Sequence, residues 1–305
     1  MKKSHISKLF NHEGLILEKN NSLKINEINV EEIKFYFEKY GIIVFRGFDF
    51  EAAKLTSFTD NFTETYAADA LRRPIRFGKK NITNVDYGYN EIKLHSEASF
   101  APAWPEIIWF YCVTPTAGKG GTTTLCDGIA LWQKLSIEAK TFFLSNPKIY
   151  KLKIPVVDKK PGKGKKPWLL NNPGVSDCFL DWDTGLLNLV LSRFAVHEGR
   201  YSNHLCFSNH LLVDLSSEDQ LISRTLLNNK KIPNEILSEI KTKSNNFTYD
   251  FHWKENDLMM IDNKRFMHGR RSYDKKDTRD IVNIQSGKAS FGYGFTTRVS
   301  RSTKT

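Results

Sequence analysis

Apolar residues recur along the chain with two different periods, and these periods predict its helices and strands. Val30, Ile33 and Phe37 have the spacing of an amphipathic helix, and the apolar run 42–45 that comes next is typical of a buried strand. The same reasoning predicts further helices at 52–62, 131–143, 214–227 and 234–243, and strands at 84–87, 93–97, 107–114, 122–126, 247–251, 258–261 and 280–284. Many short strands interrupted by helices, without an internal repeat, favour a mainly β fold of the jelly-roll type, a double-stranded β-helix.

Length and composition favour one large domain. The chain has 305 residues, of which 40% are hydrophobic and 12% aromatic, so we expect a single domain over residues 1–305 with a substantial core. The longest apolar run, 107–113, is too short to cross a bilayer, and the basic N-terminus lacks the apolar segment of a signal peptide. The four cysteines show no Cys-x-x-Cys spacing, so we expect a cytoplasmic protein that does not bind a membrane.

The formal net charge is +11, and its densest source is the stretch 159–166, which holds five lysines in eight residues. Glycine and proline within this stretch predict a loop. One interpretation is a solvated surface loop, and the alternative is a docking site for an acidic carrier protein. We expect no nucleic-acid partner, because no helix-turn-helix, zinc-finger or RNA-stacking motif accompanies the charge.

The residues with the most specific chemistry are a His-x-Glu pair, His95 and Glu97, and a distant histidine, His268. Residues two apart on a strand point to the same face, so His95 and Glu97 would enter one cavity while Ile92 and Leu94 pack behind it. Two imidazoles and one carboxylate can occupy one face of an iron(II) ion and leave its other positions open. The alternatives are a chance pair on a surface strand and a core histidine satisfied by a hydrogen bond.

Four motifs stand in order between residues 40 and 285. They are Gly-Ile-Ile-Val-Phe-Arg-Gly at 41–47, His-Ser-Glu at 95–97, Gly-Gly-Thr-Thr at 120–123, and His268 followed eleven residues on by Arg279. In this order and spacing they resemble the motifs of the iron(II)/2-oxoglutarate-dependent oxygenases of the taurine dioxygenase (TauD/TfdA-like) family. The resemblance covers most of the chain, and it implies the jelly-roll fold that the strand pattern also predicts.

The resemblance assigns roles to five residues. It implies that His95, Glu97 and His268 hold iron(II), and that Arg279 and Thr123 hold the C5 carboxylate of 2-oxoglutarate, with O₂ as the second cosubstrate. An arginine fork beside a hydroxyl donor suits such a carboxylate. For Arg279 the alternative is a solvated charge, because its surroundings at 274–280 are polar.

Two departures from the commonest family pattern bear on the substrate. Some members carry a second arginine four residues after the first and use it for an anionic substrate group, whereas this chain has Asn283. This difference disfavours a sulfonate such as taurine. The metal-binding carboxylate is Glu97 and not the commoner aspartate, which resembles the branch acting on free or carrier-bound amino acids and argues against halogenation. Asn283 and Ser99 are therefore candidate contacts for a small-molecule substrate.

The region 150–205 corresponds to the place where family members carry a mobile lid or an insert. Asp181 and Asp183 within it are candidate contacts for a substrate amine or guanidinium. Helix capping and turn formation are the ordinary alternative for aspartates in such a segment.

Together these features predict a non-haem iron(II)/2-oxoglutarate-dependent dioxygenase. It would hydroxylate an unactivated C–H bond of a small amino acid or peptide-like metabolite in specialised-metabolite biosynthesis. The alternatives are the same scaffold carrying out desaturation or oxidative cleavage, and a jelly roll that binds a metal without catalysis.

Overall fold

The computed structural model describes most of the chain. The described ranges are 4–10, 14–19, 27–69, 73–85, 88–155, 174–181, 184–213, 222–226 and 232–292. Within them the helices are α1 (Val30–Tyr40), α2 (Leu55–Thr59), α3 (Gly128–Lys134), α4 (Ile137–Ser145) and α5 (Asn234–Asn246), with 3₁₀ segments at Ala52–Lys54 and Asp60–Phe62. None of these helices is long and apolar enough to cross a bilayer.

The described strands are short and are mostly paired with antiparallel neighbours. In chain order they are β1 (Ser4–Lys8), β2 (Leu15–Lys19), β3 (Ile42–Arg46), β4 (Thr63–Tyr66), β5 (Ile75–Arg76), β6 (Lys79–Asn84), β7 (Ile92–His95), β8 (Ile107–Thr114), β9 (Thr123–Asp127), β10 (Lys148–Pro155), β11 (Val175–Asp181), β12 (Leu186–Arg193), β13 (Val196–Glu198), β14 (Leu205–Phe207), β15 (Ile222–Leu226), β16 (Thr248–Phe251), β17 (Leu258–Asp262), β18 (Phe266–Arg270) and β19 (Asp280–Ala289).

Two sheets form the body of the fold. The larger sheet has the order β1-β2-β3-β17-β8-β19-β6-β5, with β4 also paired to β19, and the smaller has the order β16-β9-β18-β7. From β3 to β6 in the larger sheet, and throughout the smaller sheet, neighbouring strands are not consecutive in the chain, as the crossing connections of a jelly roll require. The predicted double-stranded β-helix is confirmed. The assignment of the whole chain to one domain stays a prediction.

The larger sheet is buried on both faces, which explains why its strands are apolar without alternation. Ile42 and Val44 of β3 pack against Leu125 of β9 in the core between the two sheets. The alternate residue Ile43 packs on the opposite face in a second core that includes Phe37 of α1. Burial of both faces selects apolar residues at every position of a strand.

The smaller sheet has its own outer cover. Cys126 and Met267 on its outer face pack with Leu131 of α3, Phe143 of α4 and Ile240 of α5. Its inner face, by contrast, turns His268 toward the space between the sheets, in ring contact with Phe110 of β8 at a centroid distance of 5.1 Å. The jelly roll therefore encloses the region where the candidate ligands lie.

A third sheet of order β11-β12-β10-β15 covers the turn that comes after β7. Phe100 from this turn packs with Tyr150, Leu152 and Leu189 of the third sheet. The sheet overlaps the region predicted as a lid or insert, and its role as a lid stays a prediction.

Most predicted elements are confirmed with shifts of a few residues at their ends. The strand predicted at 84–87 meets β6 only at residue 84, because residue 85 is not in a strand and residues 86–87 lie outside the described residues. The amphipathic helix predicted from Val30, Ile33 and Phe37 is α1, whose first turn is capped by the side chain of Asn29, which accepts the backbone N–H groups of Glu31 and Glu32. The helix at 131–143 divides into α3 and α4, because the hydroxyl of Ser136 accepts the N–H of Ala139 and starts a new helix there. The helix at 52–62 is likewise broken into α2 and its two 3₁₀ segments.

The predicted helix at 214–227 is wrong over its described part. Residues 222–226 form β15, which pairs antiparallel with β10 and places Ile222 opposite Leu152. Hydrogen bonds to a strand some seventy positions earlier in the chain override the weak helical preference of a short segment, and local periodicity does not register such pairing. Residues 214–221 and 227 lie outside the described residues.

Candidate active site

The two candidate histidines lie directly opposite each other on neighbouring strands. His95 ends β7, His268 is the central residue of β18, and the two are Cα partners in the antiparallel register. Their rings are 4.5 Å apart between centroids. Both histidines are buried, so the two imidazoles lie side by side in the interior of the protein.

Glu97 reaches the same position by a different route from the predicted one. β7 ends at His95, and residues 97–100 form a turn in which Ala98 has a φ of 51°. The prediction that His95 and Glu97 share one face of a strand is therefore wrong, although the two side chains do converge. The bend is possible because the turn is held from outside the strand.

Asn263 holds that turn. Its Oδ1 accepts the backbone N–H of Glu97 at 2.8 Å, and its Nδ2 donates to the Glu97 carbonyl at 3.0 Å and to the Pro105 carbonyl at 2.8 Å. Asn263 itself belongs to the turn between β17 and β18, five residues before His268. One buried amide thus ties the backbone of the carboxylate residue to the strand that carries the second histidine.

A bulge changes which residues face the cavity. His268 and Arg270 of β18 are two positions apart in the chain. Their partners on β7, His95 and Ile92, are three positions apart, so β7 has one extra residue here. Ile92 therefore lines the cavity beside His95, and the prediction that it packs behind is wrong. Leu94 does pack behind, in the core under the helices.

The spacing of the three ligand groups fits a cation. Oε2 of Glu97 lies 3.8 Å from Nε2 of His95 and 3.7 Å from Nε2 of His268, too far for hydrogen bonds. One ligand atom from each residue lies within 4.8 Å of the others. A first-row divalent metal about 2 Å from each atom would fill this space. Nδ1 of His268 is buried without a hydrogen-bond partner among the described residues, so no such bond holds its ring in place.

The protonation states also suit a metal. Nδ1 of His95 lies 2.9 Å from the Lys93 carbonyl, so it must donate its proton there, and Nε2 is the ring nitrogen that faces Oε2 of Glu97 at 3.8 Å. Burial, together with the nearby His95, lowers the pKa of His268 to about 4, so this ring is neutral at pH 7. Burial alone would raise the pKa of Glu97, but Arg73 and the two imidazoles hold it well below its usual value.

Arg73 is a neighbour of the metal position that sequence reasoning missed. Its Nη2 donates to Oε1 of Glu97 at 2.8 Å, and its Nε donates to Oδ2 of Asp69 at 2.8 Å. The Arg73 side chain is only 8% exposed and lines the cavity. The carboxylate of Glu97 therefore has one oxygen on an arginine and the other facing the two imidazoles.

The structure brings Arg279 and Thr123 together, as the sequence predicted. Nη2 of Arg279 donates to Oγ1 of Thr123 at 3.2 Å, and Nε of Arg279 donates to the Gly121 carbonyl at 2.7 Å. The indole of Trp253 donates to the same hydroxyl at 2.9 Å. Gly120, with a φ of 92°, allows the chain to pass closely here, because a Cβ would lie 2.1 Å from the Ser272 carbonyl.

One cavity joins the metal position to this guanidinium. Its wall includes Glu97 and both histidines at one end and Thr123 and Arg279 at the other. An adjoining cavity of about 370 Å³ also has Arg279 in its wall. A molecule with a chelating group at one end and a carboxylate at the other would span the inner cavity.

Arg270 is a second arginine of this cavity that sequence reasoning missed. It stands two residues after His268 on β18 and therefore points to the same side. Its Nη2 donates to the Asn90 carbonyl at 3.0 Å, and its guanidinium lies 5.5 Å from the Tyr273 ring centroid. Burial, with the charge of Arg270, lowers the pKa of Arg279 to about 10, so two cations crowd this end of the cavity.

The described candidate substrate contacts do not line the cavity. Asn283 is buried on β19, where its amide donates to the Thr83 hydroxyl and the Asn84 carbonyl, and it does not line the cavity. Ser99 is buried in the turn after Glu97, also off the cavity wall, and its hydroxyl has no partner among the described residues. Asp181 accepts the Thr184 N–H at the end of β11, a turn-forming contact. Asp183 lies outside the described residues.

The sequence contains a signal for some of the residues that were missed and none for others. The position of Arg270 two residues after His268 on an apolar strand could have identified it. Asn263 comes two residues after the end of a predicted strand, but only its partners reveal its role. Arg73 stands in a polar stretch with no motif, and no pattern in the sequence links it to Glu97.

Comparison with known proteins places this chain in a family. The model of the family described as "Taurine catabolism dioxygenase TauD, TfdA family" matches residues 3–285. The 3-((Z)-2-isocyanoethenyl)-1H-indole synthase of Fischerella ambigua (strain UTEX 1903) is 24% identical over 265 residues, which are 85% of this chain and 87% of that protein.

Solved structures show the same fold. The PvcB protein from Pseudomonas aeruginosa superposes with a TM-score of 0.60 at 15% identity, covering 92% of this chain and 91% of PvcB. A taurine dioxygenase from Burkholderia xenovorans superposes with a TM-score of 0.61 at 14% identity, covering 93% of this chain and 89% of that chain. The family match spans nearly the whole sequence, including every motif that converges on the cavity. The chain therefore belongs to the TauD/TfdA dioxygenase family and is an iron(II)- and 2-oxoglutarate-dependent dioxygenase.

Proposed function

We propose that His95, Glu97 and His268 hold the iron(II), and that Arg279 and Thr123 bind the C5 carboxylate of 2-oxoglutarate. The observation that carries this assignment is the convergence of three ligand atoms within 4.8 Å of one another at the inner end of a buried cavity. With 2-oxoglutarate and O₂, the bound iron supplies the oxidant that removes hydrogen from an unactivated C–H bond, and succinate and CO₂ are released. The chain orients the ligands, neutralises the cosubstrate and excludes water.

The substrate that we propose is a small amino acid or peptide-like metabolite, hydroxylated in a specialised biosynthetic pathway. The presence of Glu97 in place of aspartate supports this class. Asn283 at the position of the second family arginine speaks against a sulfonate. The similarity to the isocyanoethenylindole synthase of Fischerella ambigua and to PvcB, an oxygenase of an isonitrile synthetic pathway, also supports an amino-acid-derived substrate.

Desaturation is the second candidate outcome, and one observation favours it. The 24% identical relative is named for a product with an isocyanoethenyl group, which contains a carbon–carbon double bond. Hydroxylation and desaturation share the removal of the first hydrogen atom and differ only in the fate of the substrate radical. The same cavity therefore serves both reactions.

The decisive experiment measures succinate formed from 2-oxoglutarate under air with free amino acids, their N-substituted derivatives and taurine as test substrates. We expect O₂-dependent succinate formation that an amino-acid derivative stimulates and taurine does not. Mass spectrometry of the product then distinguishes gain of one oxygen atom from loss of two hydrogen atoms. Stimulation by taurine alone would overturn the substrate class, and the absence of substrate-stimulated turnover would favour a non-catalytic jelly roll.

We also propose an acidic carrier protein as a partner that presents a tethered amino acid. The net charge of +11 and the lysines of residues 159–166 support it, although these residues lie outside the described ones. The cytoplasm is the proposed location, which the four free, buried cysteines support.

A further inference from the structure

Arg73 lies between two carboxylates, which compensate its positive charge. It donates to Asp69 and to Glu97 at 2.8 Å each, with all three side chains no more than 8% exposed. A buried guanidinium between two carboxylates has its charge compensated. This arrangement disfavours Arg73 as the receptor for a substrate anion and indicates a role toward its neighbours.

Arg73 is also held from behind by a chain of hydrogen bonds. The amide of Asn283 donates to the Thr83 hydroxyl at 3.0 Å, and that hydroxyl donates to Oδ2 of Asp69 at 3.2 Å, the oxygen that binds Arg73. Asn283 belongs to β19 and Thr83 to β6, so the larger sheet anchors the guanidinium. Two strands of the larger sheet therefore support Arg73, and through it the Glu97 oxygen that it binds.

The two oxygens of Glu97 have different surroundings. Oε1 accepts from Arg73, while Oε2 faces Nε2 of both His95 and His268 at 3.7–3.8 Å. A metal-binding carboxylate can use one oxygen or both. An octahedral metal held on one face has three remaining positions, of which a chelating cosubstrate takes two and O₂ needs the third. A second oxygen from Glu97 would compete for that third position.

We propose that Arg73 is a positioning residue that restricts Glu97 to one-oxygen binding of the metal and thereby keeps a position accessible to O₂. The inference rests on the proposed role of Glu97 as a metal ligand. It also gives Asn283 a role as an indirect support, through Thr83 and Asp69, in place of the direct substrate contact that the sequence suggested.

Nitric oxide, a stable analogue of O₂, tests the proposal without turnover. The enzyme is loaded anaerobically with iron(II) and 2-oxoglutarate and titrated with nitric oxide, and the EPR signal of the iron nitrosyl is followed. Arg73→Leu should need at least about tenfold more nitric oxide than the wild type, a change that corresponds to about 1.4 kcal/mol. Iron(II) should still bind, because all three ligands remain.

Two further variants complete the test. Arg76→Leu removes an arginine three residues away that donates to Asp280 and Asn84 and not to Glu97, so its nitric oxide titration should match the wild type. Asp69→Asn keeps Arg73 but removes the negative charge of one of its two anchors, so it should shift the titration in the same direction by less. Asp69→Asn also provides the test if Arg73→Leu does not fold. In crystals of the Mn(II) complex of Arg73→Leu, both oxygens of Glu97 should contact the metal.

The outcomes separate this inference from the proposed metal site. If Glu97→Ala binds iron(II) like the wild type, the ligand assignment itself is wrong. If Glu97→Ala loses iron but a folded Arg73→Leu or Asp69→Asn protein binds nitric oxide like the wild type, the ligand assignment stands and the role of Arg73 is overturned. An equal shift in Arg76→Leu would also overturn it, since that result would indicate a general effect of removing a nearby charge.

Discussion

At the scale of residues, protein neighbours prepare each candidate ligand before any metal binds. The Lys93 carbonyl selects the tautomer of His95, and Arg73 keeps Glu97 ionised despite burial. The neutral form of His268 results from its burial. Such neighbours orient metal ligands and adjust their basicity, so affinity depends on each residue and on its surroundings.

Replacing Glu97 or His268 with alanine should weaken iron(II) binding by more than about 100-fold, because even the neighbours of metal ligands contribute about 10- to 100-fold. The measurement is an anaerobic titration that follows the weak visible charge-transfer band of iron(II) with 2-oxoglutarate. His204→Ala, at an exposed histidine, should leave the band unchanged. A band of wild-type strength in His268→Ala would remove that histidine from the metal site.

Arg279→Ala should raise the KM for 2-oxoglutarate by about 10²- to 10³-fold, because losing one partner of a buried charge pair costs about 3–5 kcal/mol. Thr123→Val should cost less, about 1–3 kcal/mol, although it also deprives the Trp253 indole of its acceptor. Arg271→Ala is the control, since this nearby side chain is 40% exposed and pairs with Asp250. Steady-state kinetics check both, and an unchanged KM in Arg279→Ala would contradict the assignment.

At the scale of elements, the turn between β17 and β18 serves the fold and the site together. Oδ1 of Asp262 accepts the backbone N–H groups of Lys264 and Arg265 at 2.9 and 3.2 Å and closes the turn. The next residue, Asn263, holds the backbone of Glu97. Both Asp262 and Asn263 are buried. Burial disfavours the charged form of Asp262, so the free energy of unfolding should depend on pH.

Burial raises the pKa of Asp262 to about 6 from its usual 3.8, against the opposing effect of Arg265. The folded state therefore favours the neutral acid, and its stabilising contribution is complete below about pH 4 and is lost as the pH rises through 6. At pH 8 the free energy of unfolding of Asp262→Asn should then exceed that of the wild type by about 1–3 kcal/mol. The variant should therefore unfold at a higher temperature. Thermal melts from pH 4 to pH 8 test this, and equal melting temperatures at pH 8 would contradict it.

At the scale of the whole molecule, the jelly roll encloses the chemistry while the surface carries a large positive charge. The cavity lies between two sheets whose outer faces are covered by helices and further strands. The net charge of +11 is therefore available for long-range attraction of an acidic partner. Attraction of this kind changes association rates and weakens with salt.

Reversing Lys163, Lys165 and Lys166 to glutamate should lower kcat/KM for a carrier-tethered amino acid at low ionic strength. The reason is the loss of electrostatic steering, so the difference should shrink as salt is added. Turnover of the free amino acid should not change and serves as the internal control. If the triple variant and the wild type process the tethered substrate equally at low salt, these lysines have no docking role.

The sequence alone predicted seven strands of the jelly roll (β3, β7, β8, β9, β16, β17 and β19), the types of the candidate ligands and the cosubstrate pair. Apolar runs mark strands buried on both faces, because burial acts on each residue locally. His95, Glu97, His268, Thr123 and Arg279 were identified because their motifs resemble those of a known family.

Only the tertiary structure decided how these residues are held. The turn that carries Glu97, the clamp by Asn263 and the guanidinium of Arg73 depend on side chains from distant segments that meet only when the sheets pack. The strand at 222–226 depends in the same way on its pairing with β10. The local pattern of apolar residues indicates which side chains of a segment are buried. Hydrogen bonds between distant segments form with the partners that the fold brings near. The sequence has no periodic signal for those partners.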